Sequence, residues 1–223
     1  MLTWSLAIAL YLVVTCSISF VLLRGPPTGL VAALIFFNCL NSFIAICEIC
    51  LGRHISFIQA DYRALQKKYT VGQEWDAVTR LLTTPVTIGE VFNGLTWARM
   101  WSTYALFDLS YQDSTSFGFF IDVGNGWTTL PPCLLLHYAI LRPEASSPLW
   151  VGCVTIASYW QMLYGTMIYF VTFLFNRRYE GRPLASLLLF VITTNGVWIV
   201  FPAMAIYAAV CILRDGNFDV FGE

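Results

Sequence analysis

Two acidic residues, Glu48 and Asp122, lie inside long apolar stretches of the sequence. A carboxyl group within a membrane-spanning segment is costly, so it usually faces a protein interior or a cavity and marks a function. Apolar surroundings favour the protonated form of such a group, and a protonated carboxyl group is a general acid. The structural alternative is that each acid only forms a hydrogen bond with Asn, Ser or Thr of a neighbouring helix. We favour a site, because the two acids occur together with aromatic residues.

Aromatic residues are frequent in the last three apolar stretches, and they suit the same chemistry. The face of an aromatic ring is electron-rich and stabilises a cation. An acid that generates a carbocation and rings that hold it would suit alkene or epoxide chemistry on a lipid. Trp198 is the strongest candidate, since it lies in the middle of its stretch, three residues after Asn195. Anchoring at the membrane interface is the alternative for the other aromatic residues, which are Trp127, Tyr159, Trp160, Tyr164 and Tyr169.

The composition indicates a membrane protein. Hydrophobic residues make up 58% of the 223 residues and charged residues only 11%, whereas soluble domains carry about 25% charged residues. The 12 basic and 13 acidic residues nearly balance, so no positive field argues for a nucleic-acid partner. We therefore predict a single all-α membrane domain over residues 1–223.

Five apolar stretches predict the transmembrane helices of this domain. Each is long enough to cross a bilayer, and together they predict a bundle of about five helices with spans at 2–23, 29–51, 115–141, 148–175 and 183–213.

A long loop, residues 52–114, separates the second predicted span from the third. Its segment His54–Tyr69 has the pattern of an amphipathic helix at the membrane interface. Residues 81–106 are apolar in patches but contain Pro85, Glu90 and Arg99. They are compatible with an interfacial segment, a re-entrant segment or a sixth span. Glu90 is a reserve candidate acid if this segment enters the bundle.

Cysteine and histidine do not predict a metal site. Cys47 and Cys50 form a lone C-x-x-C motif, but one helical turn apart in a spanning helix they behave as small hydrophobic residues. His54 and His137 are far apart and lack a partner acid. No nucleotide-binding motif occurs either, so we predict neither a metal nor another cofactor.

Three motifs and one spacing occur in order along the chain. Residues 101–111 read W-x-x-Y-A-x-x-D-x-x-Y, and 18 positions separate Tyr104 from Asp122. Residues 164–170 read Y-G-T-x-x-Y-F, and residues 195–202 read N-x-x-W-x-x-x-P. Together they resemble the signature, the ungapped spacing and the Y-G-D-x-x-Y-F and N-x-x-W-x-x-x-P motifs of the emopamil-binding protein family, which comprises the sterol Δ8–Δ7 isomerases and their sigma-2 receptor relatives. An insertion of about thirty residues precedes Trp101.

The resemblance implies a five-helix, multi-pass bundle of the endoplasmic reticulum with a central lipid pocket. In the isomerases, acids in this pocket protonate a sterol double bond and a neighbouring carbon loses a proton. By position, Glu48 and Asp122 match those acids, and Asn195 and Trp198 match the pair associated with the cationic intermediate. Asp108 and Tyr111 match the signature but look like loop architecture rather than chemistry.

The chain departs from the isomerase pattern at several pocket positions. Ile44 stands where the isomerases have His, Asp122 is a shortened Glu, and Asn125 replaces a Thr. Thr115 and Thr166 stand in place of acids.

These departures leave three functions open. We favour an acid-catalysed isomerase or cyclase that acts through a carbocation on a sterol or (mero)terpenoid lipid. A non-catalytic protein that binds sterols or amphiphiles, like the sigma-2 receptor, is the main alternative, and a structural membrane protein is the third. The predicted catalytic residues are Glu48 and Asp122, and the residues predicted to stabilise the cation or bind substrate are Trp198, Asn195, Asn125, Tyr164 and Thr115. The predicted partners are a hydrophobic lipid and the membrane, with homodimer formation left open.

Overall fold

The computed structural model describes residues 1–222, except for the side chains of Ser186 and Phe190. The described chain is an all-α bundle without strands, as the sequence predicts. Its helices are α1 (Trp4–Leu22), α2 (Gly29–Arg53), α3 (Ile55–Lys68), α4 (Glu74–Thr83), α5 (Ile88–Val91), α6 (Gly94–Tyr104), α7 (Phe117–Thr128), α8 (Leu130–Leu141), α9 (Pro148–Phe175), α10 (Leu184–Ser186) and α11 (Thr193–Asp215). A π-helical segment, Leu187–Ile192, joins α10 to α11.

Three helical segments in the described residues are long and apolar enough to cross a membrane. They are α1, α2 and the continuous segment Leu187–Asp215. The helix α9 has 28 residues, enough length for a crossing, but its many Trp, Tyr and polar residues keep it outside this apolar class. These features make the chain a membrane protein.

The segment predicted as the span 115–141 is not one continuous helix. It divides into α7 and α8 around Thr129. The cause is Pro131-Pro132 in the first turn of α8, because proline has no N–H to donate to the preceding turn. Helical hydrogen bonding continues into the break, since the Thr129 N–H donates to the Asn125 carbonyl at 2.9 Å.

The long loop between α2 and α7 is largely helical. The amphipathic segment predicted at His54–Tyr69 forms α3, which buries Ile58 and Tyr62. Residues 81–106 do not form a single spanning helix, because they divide among the end of α4, the one-turn α5 and α6. The Val86 N–H donates to the Leu2 carbonyl at 2.8 Å, which ties this loop to the start of the chain.

Helix α2 lies in the middle of the bundle and positions the site. It packs against α1, α6, α7, α8 and α11, while α9 and α11 pack along each other. Threonine side chains start both N-terminal helices, since Thr3 and Thr28 accept hydrogen bonds from the first turns of α1 and α2. Polar positions on the buried face of α2 therefore point at several helices at once.

Candidate functional site

A cavity of about 210 Å³ lies between α2, α6, α7, α9 and α11. It holds five of the seven predicted site residues, namely Glu48, Asp122, Asn125, Asn195 and Trp198. The other lining residues are Ile44, Met100, Trp101, Tyr104, Tyr111, Thr166 and Thr194.

Glu48 and Asp122 are brought together by the close packing of α2 against α7. At the contact, a Cβ atom added to Gly126 would lie 2.9 Å from the Ala45 carbonyl oxygen and 2.9 Å from Glu48 Cβ. Only glycine fits there without displacement, so the two helices approach each other at the level of the acids. The two carboxyl groups are near enough to interact electrostatically.

Glu48 is almost fully enclosed, with 4% of its surface exposed. Its Oε2 atom has no hydrogen-bond partner among the described residues. A buried polar atom without a partner costs about 1–3 kcal/mol, so a stable fold retains one mainly where it has a use. Here the atom belongs to an acid that lines a cavity, which distinguishes Glu48 from a carboxyl group that only joins helices.

Three aromatic rings form one wall of the cavity, and α6 and the turn after it carry them. Trp101 is fixed by a hydrogen bond from its Nε1–H to the Cys47 carbonyl at 2.7 Å. The Tyr111 ring stacks on Trp101 with centroids 5.0 Å apart, and it meets Tyr104 edge to face at 4.5 Å. The Tyr111 hydroxyl also interacts with the Asp122 carboxyl group.

Asn195 and Trp198, both on α11, are held in defined orientations. The Asn195 Nδ2 group donates to the Tyr104 hydroxyl at 2.8 Å and to the Val191 carbonyl at 2.7 Å. The Trp198 Nε1–H donates to Asn41 Oδ1 on α2 at 3.1 Å. Because its ring edge is bonded in this way, Trp198 can present a ring face to the cavity.

Two predicted site residues, Thr115 and Tyr164, do not line this cavity. Thr115 precedes α7 and donates its N–H and hydroxyl to the Asp113 carboxylate. Seven residues separate it from Asp122, which is about 10 Å along a helix. Tyr164 is 53% exposed and stacks on Trp160, because it is turned about 200° around α9 from Thr166, which faces the cavity.

Most of the aromatic residues that the sequence analysis named in the last three predicted spans do not line the cavity. Only Trp198 among them lines the cavity. Trp127 and Trp160 are exposed on the outside of the bundle. The two buried tyrosines are used elsewhere, since Tyr159 donates to Asn38 Oδ1 and Tyr169 donates to Asp108 Oδ2.

Two further acids, Asp108 and Glu90, form structural hydrogen bonds and do not line the cavity. Asp108 is fully buried and also accepts hydrogen bonds from the N–H and hydroxyl of Ser110. Glu90 is exposed and caps α5 together with Thr87. Hydrogen bonds from Thr87 lower the pKa of Glu90, so it is a solvated carboxylate and not a buried acid.

The predicted site did not include several residues that line the cavity. For some of them, the spacing in the sequence could have indicated this position. Trp101 and Tyr104 are one helical turn apart, which places both rings on one face of α6. Thr166 lies two residues after Tyr164 on α9 and lines the cavity. Nothing in the sequence indicated that Met100 lines the cavity, because this depends on how α6 packs against α2.

Within the described residues, no three His, Cys, Asp or Glu side chains are grouped so that they could hold a metal ion. Comparison with protein-family models, with curated proteins and with solved structures gave no match to this chain. The function therefore has to be argued from the cavity.

Proposed function

We propose that this protein is a membrane-embedded isomerase or cyclase that generates a carbocation by acid catalysis on a sterol or (mero)terpenoid lipid. The observation that carries the proposal is the pair of carboxyl groups, the buried Glu48 and the partly buried Asp122, in one cavity walled by aromatic rings. A low-polarity cavity keeps one of them protonated as an acid, while the other is available as a base.

The reaction is redox-neutral and needs no co-reactant. One carboxyl group gives its proton to the substrate, and a carbocation forms. The ring faces of Trp198 and its neighbours stabilise this cation. A carbon next to the cation then loses a proton to the other carboxyl group, and a double bond forms at a new position.

The cellular setting is part of the proposal. The resemblance to the emopamil-binding protein family supports a multi-pass protein of the endoplasmic reticulum, in which α7–α8 and α9 also cross the bilayer. A lipid substrate would then reach the cavity sideways from the membrane, without leaving the apolar phase.

The main alternative is a protein that binds amphiphiles without converting them. The presence of Ile44 in the cavity favours it, because the isomerases have a histidine there. An ionised carboxylate surrounded by ring faces also suits a cationic amphiphile. This alternative predicts tight binding of such a compound without turnover of any lipid.

The first test is expression in yeast that lacks its own sterol Δ8–Δ7 isomerase, followed by mass spectrometry of sterols. Membranes are also incubated with Δ8 sterols and with terpenoid alkenes in D₂O, because protonation of an alkene carbon by an exchangeable acid places one stable deuterium in the product. Terpenoid epoxides are followed by their cyclic alcohol products instead, since a deuteron on oxygen exchanges with water. We expect deuterated isomers from the unaltered protein and none from Glu48→Gln or Asp122→Asn.

Matched controls are available outside the cavity. Glu90→Gln and Asp219→Asn make the same chemical changes at exposed positions, and we expect full activity from both. Full activity in both cavity variants would refute the acid mechanism. Tight amphiphile binding without any isomerised or cyclised product would favour the binding protein.

A further inference from the structure

The cavity contains a hydrogen-bond donor beside the acids whose orientation is set by its neighbours. Asn125 lies on α7, one turn after Asp122, and 8% of its surface is exposed. Its amide can present either oxygen or nitrogen to the cavity, and the two choices suit different substrates.

A chain of hydrogen bonds decides this orientation. The Thr128 hydroxyl donates to the Gly124 carbonyl at 2.9 Å, so its oxygen can only accept from Gln161. Gln161 therefore turns its Nε2 group towards Thr128, at 2.7 Å. The same Nε2 group donates to Asn125 Oδ1 at 3.2 Å.

Asn125 consequently has its nitrogen on the side away from Gln161. No described residue accepts a hydrogen bond from Asn125 Nδ2, although Asn125 lines the cavity. The Nδ2 group can therefore donate into the cavity. A substrate oxygen bound at this point would accept this hydrogen bond, whereas a carbon–carbon double bond would not.

Helix α11 offers the complementary polarity. Asn195 uses its Nδ2 group for the Val191 carbonyl, which can only accept. Its Oδ1 is thereby left on the other side of the amide, and Asn195 lines the cavity together with Trp198. The cavity thus has a donor on α7, one turn after Asp122, and an amide oxygen and a ring on α11.

We infer that the substrate carries an oxygen at its reacting end, as in the epoxide of a polyunsaturated lipid, and that Asn125 binds this oxygen for protonation. The inference rests on the proposed function and selects cyclisation over a simple double-bond shift. It also gives a use to the amide that stands where the isomerases have threonine.

The chemistry balances within one molecule of substrate. A carboxyl group gives its proton to the epoxide oxygen, and the bond from that oxygen to the more substituted carbon breaks. The cation at this carbon is captured by the π electrons of another double bond in the same molecule, which forms a carbon–carbon bond. The final cation loses a proton to the second carboxylate. The product is an isomer of the substrate with a hydroxyl group.

The test compares a pair of probes that differ in one oxygen: farnesol and its terminal epoxide, 10,11-epoxyfarnesol. Purified protein in detergent is titrated with each probe, with tryptophan fluorescence as the readout, and products are analysed by mass spectrometry. We expect the epoxide to bind at least tenfold more tightly than farnesol and to give a cyclic alcohol.

Two variants assign this preference to Asn125. Asn125→Leu removes the donor at similar volume, and we expect the two probes to bind equally. Gln161→Met leaves Asn125 in place but releases its amide, and we expect the epoxide preference to fall several-fold; this variant keeps the test valid if Asn125→Leu does not fold. Thr172→Val, another polar-to-apolar change on α9 but away from the cavity, is the control and should keep the full preference.

Equal binding of the two probes by the unaltered protein would overturn the inference, as would an epoxide preference that survives in both variants. The proposed function is judged separately. Acid-dependent deuteration of a Δ8 sterol without an epoxide preference would leave the function standing and refute the oxygen site. An epoxide preference without acid-dependent turnover would support the oxygen site and refute the proposed function.

Discussion

The close approach of α2 and α7 at Gly126 gives a prediction that does not depend on the substrate. In Gly126→Ala, the added Cβ atom would lie 2.8 Å from the Ile49 backbone nitrogen and 2.9 Å from the Ala45 carbonyl oxygen. Ordinary van der Waals contact begins near 3.4 Å, so the helices must separate by roughly 0.5 Å. Overpacking of this kind costs about 1–3 kcal/mol.

Gly124→Ala is a matched control on the same helix, because a Cβ atom there meets nothing within 4 Å. Both variants gain the same helix propensity, about 1 kcal/mol, so their difference isolates the contact. For a chain of this size we expect Gly126→Ala to melt about 3–10 °C below Gly124→Ala. Thermal unfolding in detergent, followed by tryptophan fluorescence, measures this difference.

The same displacement should reach the acids. A misplacement of about 1 Å at a reacting group can cost about 10²-fold in rate, so a shift of half that size should lower turnover by about tenfold in Gly126→Ala. Melting temperatures within about 1 °C of each other would contradict the reasoning, because α7 would then not lie against the α2 backbone at the level of Glu48.

Three further predictions concern the walls of the site and the start of α7. Trp198→Leu should lower kcat by about 30-fold, the loss of about 2 kcal/mol of cation–π stabilisation, while KM stays within about twofold; an equal loss in Trp160→Leu, on the outside of the bundle, would contradict a local effect. Asn41→Leu leaves the Trp198 Nε1–H without its acceptor and should cost about 1–3 kcal/mol of stability, seen as a lower melting temperature; an unchanged value would refute this. Hydrogen bonds from Thr115 lower the pKa of Asp113, so Asp113 stabilises the fold above its unfolded pKa and loses this effect as the pH falls through its folded pKa. Asp113→Ala should therefore melt below the unaltered protein at pH 7 and converge with it under acid, and a constant gap would contradict the assignment.

The helices themselves were largely predictable, because apolar length and helix-capping residues are local properties. The first two predicted spans coincide with α1 and α2 to within a few residues. Pro131-Pro132 indicated a break in the third predicted span. How far the helix is interrupted there depends on the packing of neighbouring helices. The division of residues 81–106 among three helices was not predictable, because it depends on tertiary contacts: α4 packs on α1, α6 packs on α2 and α3, and α5 packs on α6.

The site was predictable only where chemistry alone distinguishes a residue. Glu48 and Asp122 stand out in sequence because a carboxyl group in an apolar stretch is costly wherever it faces. Tyr164 and Thr115 have similarly suggestive positions, but which side of a helix faces a neighbour depends on packing. The cavity wall formed by the rings of Trp101, Tyr104 and Tyr111 could not be predicted, because an aromatic residue occurs equally well in a core, at an interface or in a cavity.

The sequence by itself therefore determined the class of the protein: an all-α membrane chain with two acids in apolar surroundings. Hydropathy and helix length decide this, since each is a sum over neighbouring residues. The tertiary structure decided which of the polar groups meet and how they are oriented. The amide of Asn125 is the clearest case, because its direction depends on Gln161, on another helix 36 residues away. Such an orientation arises only when distant helices pack together, and it determines what the cavity can bind.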